Sequence, residues 1–220
     1  MDAIVIAGGI PEPESKLFPY TLGKPKAMIQ IGDKPMIAWV LLALSAAKVV
    51  DELIVVGLDD LGDQQLIQQI IEQPLTFLPN HGSLVANGLA GLDHVYTQHG
   101  RHVNVIGCSS DIPHMRAPMI EELVTLCQPM DRILYYAAVT PDQMKQAYPN
   151  AQRTFANFAG QPLAGCDIFV STTKMLDTDK ELWHRVINAR KNPLAMAWTV
   201  GFRHLIKPVS YTHLTLPTKA

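Results

Sequence analysis

The sequence predicts an α/β fold of three layers, built on a doubly wound, mostly parallel (mixed) sheet. Short β-branched runs such as AIVIA at 3–7 and ELIVVG at 52–57 read as strands buried on both faces. Apolar or amphipathic helical stretches follow them. Strand and helix then alternate four times with short connections, the pattern of parallel strands joined by helical crossovers.

In chain order, the first strand is Ala3 to Ala7, and Lys34-Pro35 opens a helix carrying MIAWVLLALSAA. Glu52 to Gly57 is the second strand. The segment DQQLIQQIIEQ from Asp63 places Leu66, Ile67, Ile70 and Ile71 at helical spacing. LTFLP from Leu75 is a short strand, and GSLVANGLAGLDHVYTQ from Gly82 is a helix. Val103 to Cys108 is the next strand, and PMIEELVTLC from Pro118 the next helix.

After Asp131 the rhythm changes. ILYYAAV is strand-like, PDQMKQAYP is a short helix or turn, and RTFANFAGQPLAGCDIFVSTT reads as two strands around Gly160-Gln161. ELWHRVINARK and PLAMAWTVGFRHLIK read as two helices split by Asn192-Pro193. The expectation is one domain over 1–208, incomplete at its C-terminal end. Residues 209–220 form a non-native tail, because VSYTHLTLPT resembles a translated frame of a common sequencing adapter.

Composition narrows the function. The 220 residues are 48% hydrophobic and 17% charged, as in a globular protein with a sizeable core. A net charge of −2 argues against a broad grip on nucleic acid. Cys108, Cys127 and Cys166 are an odd, widely spaced set, which suits a reducing cytoplasm. The apolar stretch from Met36 is too short to span a bilayer, and no signal peptide precedes the first strand, so the expected location is cytoplasmic with no membrane partner. The eight histidines offer no HxxxH spacing and no metal set of their own.

Two places carry chemistry. Gly8 and Gly9 follow the first strand directly after Ala7, where glycine lets backbone N–H groups approach a phosphate. The chain reads GGIPEPES, so neither GxGxxG nor a Walker loop is present, and Pro11 and Pro13 block an immediate helix. By itself the pair of glycines fits a plain turn equally well. Lys24-Pro25-Lys26 adds cations on a rigid loop that can reach back to the same strand end. The second place is Asp111 in SSDIP, after another strand; it fits a metal-binding carboxylate or an Asx turn before Pro113. Strand ends in such sheets share one crevice.

With IAGG at Ile6 to Gly9 and PK at Pro25-Lys26, the chain resembles the nucleotidyltransferase superfamily. That superfamily includes molybdenum-cofactor guanylyltransferases, sugar-1-phosphate nucleotidyltransferases and methylerythritol-phosphate cytidylyltransferases, with a nucleotide-diphospho-sugar-transferase-like fold. The resemblance implies nucleotide binding by Ala7, Gly8, Gly9 and Lys16, with Lys26 and Asp111 catalytic. It further implies base contacts from Gly82, Ser83 and Asn87, against plain helix capping by Gly-Ser. Asp111 would hold Mg²⁺, with Asp167 in LAGCDIFV as second ligand. PEPESK stands where the family has a second glycine and an arginine, leaving Lys16 as the basic candidate.

The implied reaction moves an NMP from an NTP to a small phosphorylated acceptor and releases pyrophosphate. Two alternatives stand beside it. A glycosyltransferase of similar fold would need a DxD motif where this chain has SSDIP. A nucleotide-binding module without turnover would fit the altered loop.

Overall fold

In the computed structural model, the run AIVI forms β1 (Ala3–Ile6) at the middle of the sheet. Alternate side chains leave opposite faces of a strand. Ile4 lies under a helix on one face, while Ala3 and Val5 face the other way and are fully buried. Both faces are therefore covered, which is why the run reads as continuously apolar. The structure describes residues 1–158, 160–178 and 181.

The elements after β1 are α1 (Phe18–Thr21), the two-residue strands β2 (Gln30–Ile31) and β3 (Lys34–Pro35), and α2 (Met36–Ser45). Then come β4 (Leu53–Val56), α3 (Leu61–Ile70), β5 (Leu75–Leu78), α4 (Leu84–His99), β6 (Asn104–Ser109) and α5 (Ala117–Leu126). The last are β7 (Leu134–Val139), α6 (Pro141–Ala147), β8 (Ala156–Phe158) and β9 (Gln161–Thr172). The strand order is β5-β4-β1-β6-β9-β7, with β8 paired to β9. β1 runs parallel to both β4 and β6, β4 runs parallel to β5, and β9 is antiparallel to β6, so the sheet is mixed and mostly parallel.

Local differences from the sequence reading have physical reasons. Lys34-Pro35 does not begin the helix; it pairs with β2 in a small hairpin, and Pro35 caps α2. The helix expected from Asp63 starts at Leu61, because the Asp60 carboxylate accepts the Asp63 N–H as an N-cap. The proline-rich loop contains α1, whose Pro19 occupies a first-turn position where a missing N–H costs nothing. The helices expected over 181–191 and 193–207, and the tail at 209–220, lie outside the described residues apart from Glu181.

Helix α4 carries the chain from β5 across to β6. It lies close on β1, because a Cβ on Gly91 would come within 2.5 Å of Ile4 Cγ2. Gly88 faces Ile6 in ordinary contact at 3.7 Å.

The residues group into two units. Of the described residues, the first holds 1–135 and 167–177; the second holds 136–158, 160–166, Thr178 and Glu181. Within the second, α6 has a capping box between Thr140 and Gln143. There the antiparallel pair β8–β9 closes around Gly160, and Arg153 donates to the Gly165 carbonyl.

Candidate active site

The chain leaves β1 under tight control. Ala7 is 1% exposed and its N–H still donates to the Val56 carbonyl at 2.8 Å. Among the described residues, the N–H groups of Gly8 and Gly9 that follow donate no hydrogen bond. Two adjacent backbone donors without partners at a strand end suit an anion.

The path of Gly8 is fixed from two sides. Gly57 sits at φ +95°, and a Cβ there would fall 2.7 Å from the Gly8 backbone, so only glycine serves. Asn80 holds the other side: its Nδ2 donates to the Gly8 carbonyl at 3.3 Å. Its Oδ1 accepts from Gly82 N–H at 3.0 Å and from Asn87 Nδ2 at 3.1 Å. Asn80 N–H in turn donates to the Asp59 carboxylate at 2.8 Å. One amide side chain thus couples the loop after β1 to the loop after β5.

The loop from Ile10 to Pro25 bulges into solvent, with Glu12, Glu14 and Lys16 exposed. It returns where Lys26 N–H donates to the Gly9 carbonyl at 2.9 Å. Lys24, exposed, reaches Asp63 at 3.5 Å and ties the loop to the start of α3. Lys26 opens a 3-10 turn over Lys26–Met28 that is anchored by fully buried Ala27. Its stem runs beside Gly9, where a Cβ would meet Lys26 Cε at 3.2 Å. The ammonium ends 2.5 Å from Asp111 Oδ2.

Asp111 arrives from β6. Ser110 N–H donates to the Ile6 carbonyl at 3.1 Å, so β6 stays beside β1 to the last residue before the aspartate. The Ser109 hydroxyl donates to Asp111 Oδ1. Burial alone would raise the Asp111 carboxyl, but the Lys26 ammonium and the Ser109 hydroxyl outweigh it and hold the group below its ordinary value. The carboxylate is therefore ionised at neutral pH. This meeting point is where the strand order reverses: from β1 the chain builds outward to β4 and β5, then crosses to β6 on the other side. Such a switch point opens a crevice beyond the strand ends.

The other residues singled out in the sequence fall as follows. Asp167 lies one residue before Ile168, whose partner is Cys108, so it sits at the same end of β6 as Ser109 and Asp111; its φ is 56°. Ser83 accepts from Ala86 N–H and caps α4, which is the capping alternative for its side chain. Asn87 is 3% exposed, accepts from His81 N–H at 2.7 Å and donates to Asn80, so its polar atoms hold the turn around residue 81. Gly82 is exposed at φ +79°. Lys16 forms no hydrogen bond or ion pair among the described residues.

A comparison with protein families matches residues 3–205 to the MobA-like NTP transferase domain. The chain belongs to the MobA-like NTP transferase family. A hypothetical transferase from Thermus thermophilus is 28% identical, with a TM-score of 0.70 over 93% of this chain and 79% of its own. A CMP:2-keto-3-deoxy-manno-octonic acid synthetase solved with CTP is 15% identical (TM-score 0.56, 91% of this chain and 87% of its own). A 4-diphosphocytidyl-2C-methyl-D-erythritol synthase is also 15% identical (TM-score 0.55, 89% and 82%) and, like the previous one, attests the shared fold. A comparison with curated proteins finds no match.

This MobA-like NTP transferase is thus a nucleotidyltransferase whose substrate is a nucleotide. Among its described residues no helix is long and apolar enough to cross a membrane. Sequence reasoning missed three parts of the site: Gly57, Ser109 and Asn80. Ser109 had a signal, lying two residues before Asp111. Gly57 closes a strand and looked like an ordinary terminus. Asn80 stands in Pro-Asn-His-Gly, which reads as a turn and says nothing of the strand loop it holds.

Proposed function

We propose that the chain transfers an NMP from an NTP to a small phosphorylated acceptor. An acceptor oxygen attacks the α-phosphorus, the bond to the β-phosphate oxygen breaks, and pyrophosphate leaves with that electron pair. The observation that supports this reading best is the meeting of Lys26 and Asp111 beside the unpartnered Gly8 and Gly9 N–H groups. Backbone donors and a lysine at one strand end match the charge that builds on a triphosphate in such a step.

Mg²⁺ is the cofactor this chemistry calls for, supplying charge neutralisation on the phosphates. The residues present fit it. Asp111 is an ionised, half-buried carboxylate, and Asp167 stands at the same end of β6. Hard oxygen donors of this kind suit Mg²⁺. Lys26 then trades Asp111 for a phosphate oxygen, and Gly8 and Gly9 orient the phosphates. The cysteine set supports a cytoplasmic setting.

The test is pyrophosphate release from the four NTPs with Mg²⁺ and a panel of phosphorylated acceptors. Lys26→Ala and Asp111→Ala are each expected to cut release about a hundredfold or more. Release equal to that of the wild type in both variants would sink the reading.

A further inference from the structure

At the far end of β1 from the two glycines, Asp2, Glu52 and His99 each bring a ligating atom to within 4.8 Å of the others. The sheet register sets two of them side by side. Ala3 pairs with Leu53, and Ala3 N–H donates to the Glu52 carbonyl at 2.8 Å. Asp2 and Glu52 are thus the preceding residues on two parallel strands, and in-register neighbours leave the same face. His99 is the last residue of α4, and its Nε2 lies 3.2 Å from Asp2 Oδ2.

An Asp2–His99 ion pair does not account for the third member. Asp2 is only 5% exposed, while Glu52 and His99 open to solvent. A buried carboxylate next to a second one loses hydration and meets a like charge. A dication between the three groups relieves both costs at once. The chemistry of the donors narrows which dication. Two carboxylate oxygens and one imidazole nitrogen suit zinc-like metals, whereas Mg²⁺ and Ca²⁺ favour all-oxygen shells. Zinc bonds of 2.0–2.2 Å put tetrahedral ligands about 3.4 Å apart, close to the observed Asp2–His99 spacing.

We propose that Asp2, Glu52 and His99 form a site for one zinc-class divalent ion, with water as the fourth ligand. The ion pins the C-terminal end of α4 to the starts of β1 and β4. It lies the full length of that helix, about 24 Å at 1.5 Å per residue, from the Ser83 cap that belongs to the crevice loops. The site is independent of the nucleotidyl-transfer reading and stands whether or not that reading holds.

The experiment strips the full chain with chelator, then measures Zn²⁺ binding by equilibrium dialysis and Co²⁺ coordination by visible absorption. The wild type is expected to bind one Zn²⁺ per chain, to show the bands of four-coordinate Co²⁺, and to keep the ion in excess Mg²⁺. His99→Gln and Glu52→Gln lie at exposed positions and retain the fold, which circular dichroism checks. Each is expected to weaken zinc binding at least about tenfold and to lose the Co²⁺ bands. Zinc bound with unchanged affinity in both variants, or no zinc bound to the wild type at micromolar concentration, overturns the proposal.

Discussion

Lys26 Nζ sits 2.5 Å from the Asp111 carboxylate, although the two residues are 85 apart in sequence. Both side chains are about one-third exposed, so their attraction is only partly screened. While they hold each other, neither charge is available to a triphosphate or a cation. Asp111→Asn releases Lys26 and removes a repelling charge. In EDTA, calorimetry is expected to show this variant binding NTP about tenfold tighter than wild type, with turnover lost.

The same carboxylate links stability to pH. Its folded pKa is depressed, so the stability it contributes is fully present above the ordinary carboxylate value, about 3.9. It is lost as pH falls through the lower, folded value. Thermal midpoints of wild type and Asp111→Asn should therefore differ at neutral pH and converge as the solution is acidified below the ordinary carboxylate range.

Asn80 should matter to both fold and activity. Its amide serves Gly8, Gly82 and Asn87 together, and Asn80→Ala strands these groups. Urea unfolding is expected to show a loss of about 1–3 kcal/mol. Pyrophosphate release should fall as well, because Gly8 loses its fixed path; Asn80→Asp, which keeps the acceptor oxygen, should recover part of the stability.

Gly91→Ala tests how tightly α4 lies on the sheet. Alanine is the better helix former by about 1 kcal/mol, yet its methyl would come within 2.5 Å of Ile4 Cγ2. Ile4 is β-branched, 3% exposed and held in the central strand, so it has little room to give. The clash, about 1–3 kcal/mol, is expected to win. Denaturant titration showing a more stable variant would contradict the packing described.

Much of the fold was legible in the sequence because burial leaves a period. The runs at β1, β4 and β6 and the spacing in α3 each follow from which faces the sheet must hide. Lys34-Pro35 misled because proline opens helices and also suits an edge strand, and the choice rests on its pairing with β2. In the candidate site, Gly8, Gly9 and Asp111 were legible as motifs at strand ends, and Lys26 as a cation on the loop that returns to the first of them. The coupling of Asn80 to Gly8, across 72 positions, was not, since a turn-forming Asn has the same sequence whichever loop it reaches. The resemblance implies a base contact for Asn87, against plain helix capping; in the structure its amide oxygen accepts from His81 N–H and holds the turn there.

The crossover that places β6 beside β1 also sets a schedule for synthesis. β4 pairs one edge of β1 early, but the other edge is left for β6, whose first residue is Asn104. Roughly fifty residues separate the end of β4 from that point, about 2–10 s of translation. During that interval AIVI offers an apolar, hydrogen-bonding edge on the nascent chain, a hazard for aggregation. Slower elongation between β4 and β6 would lengthen the exposure, so soluble yield should respond to codon choice there more than after Asp111.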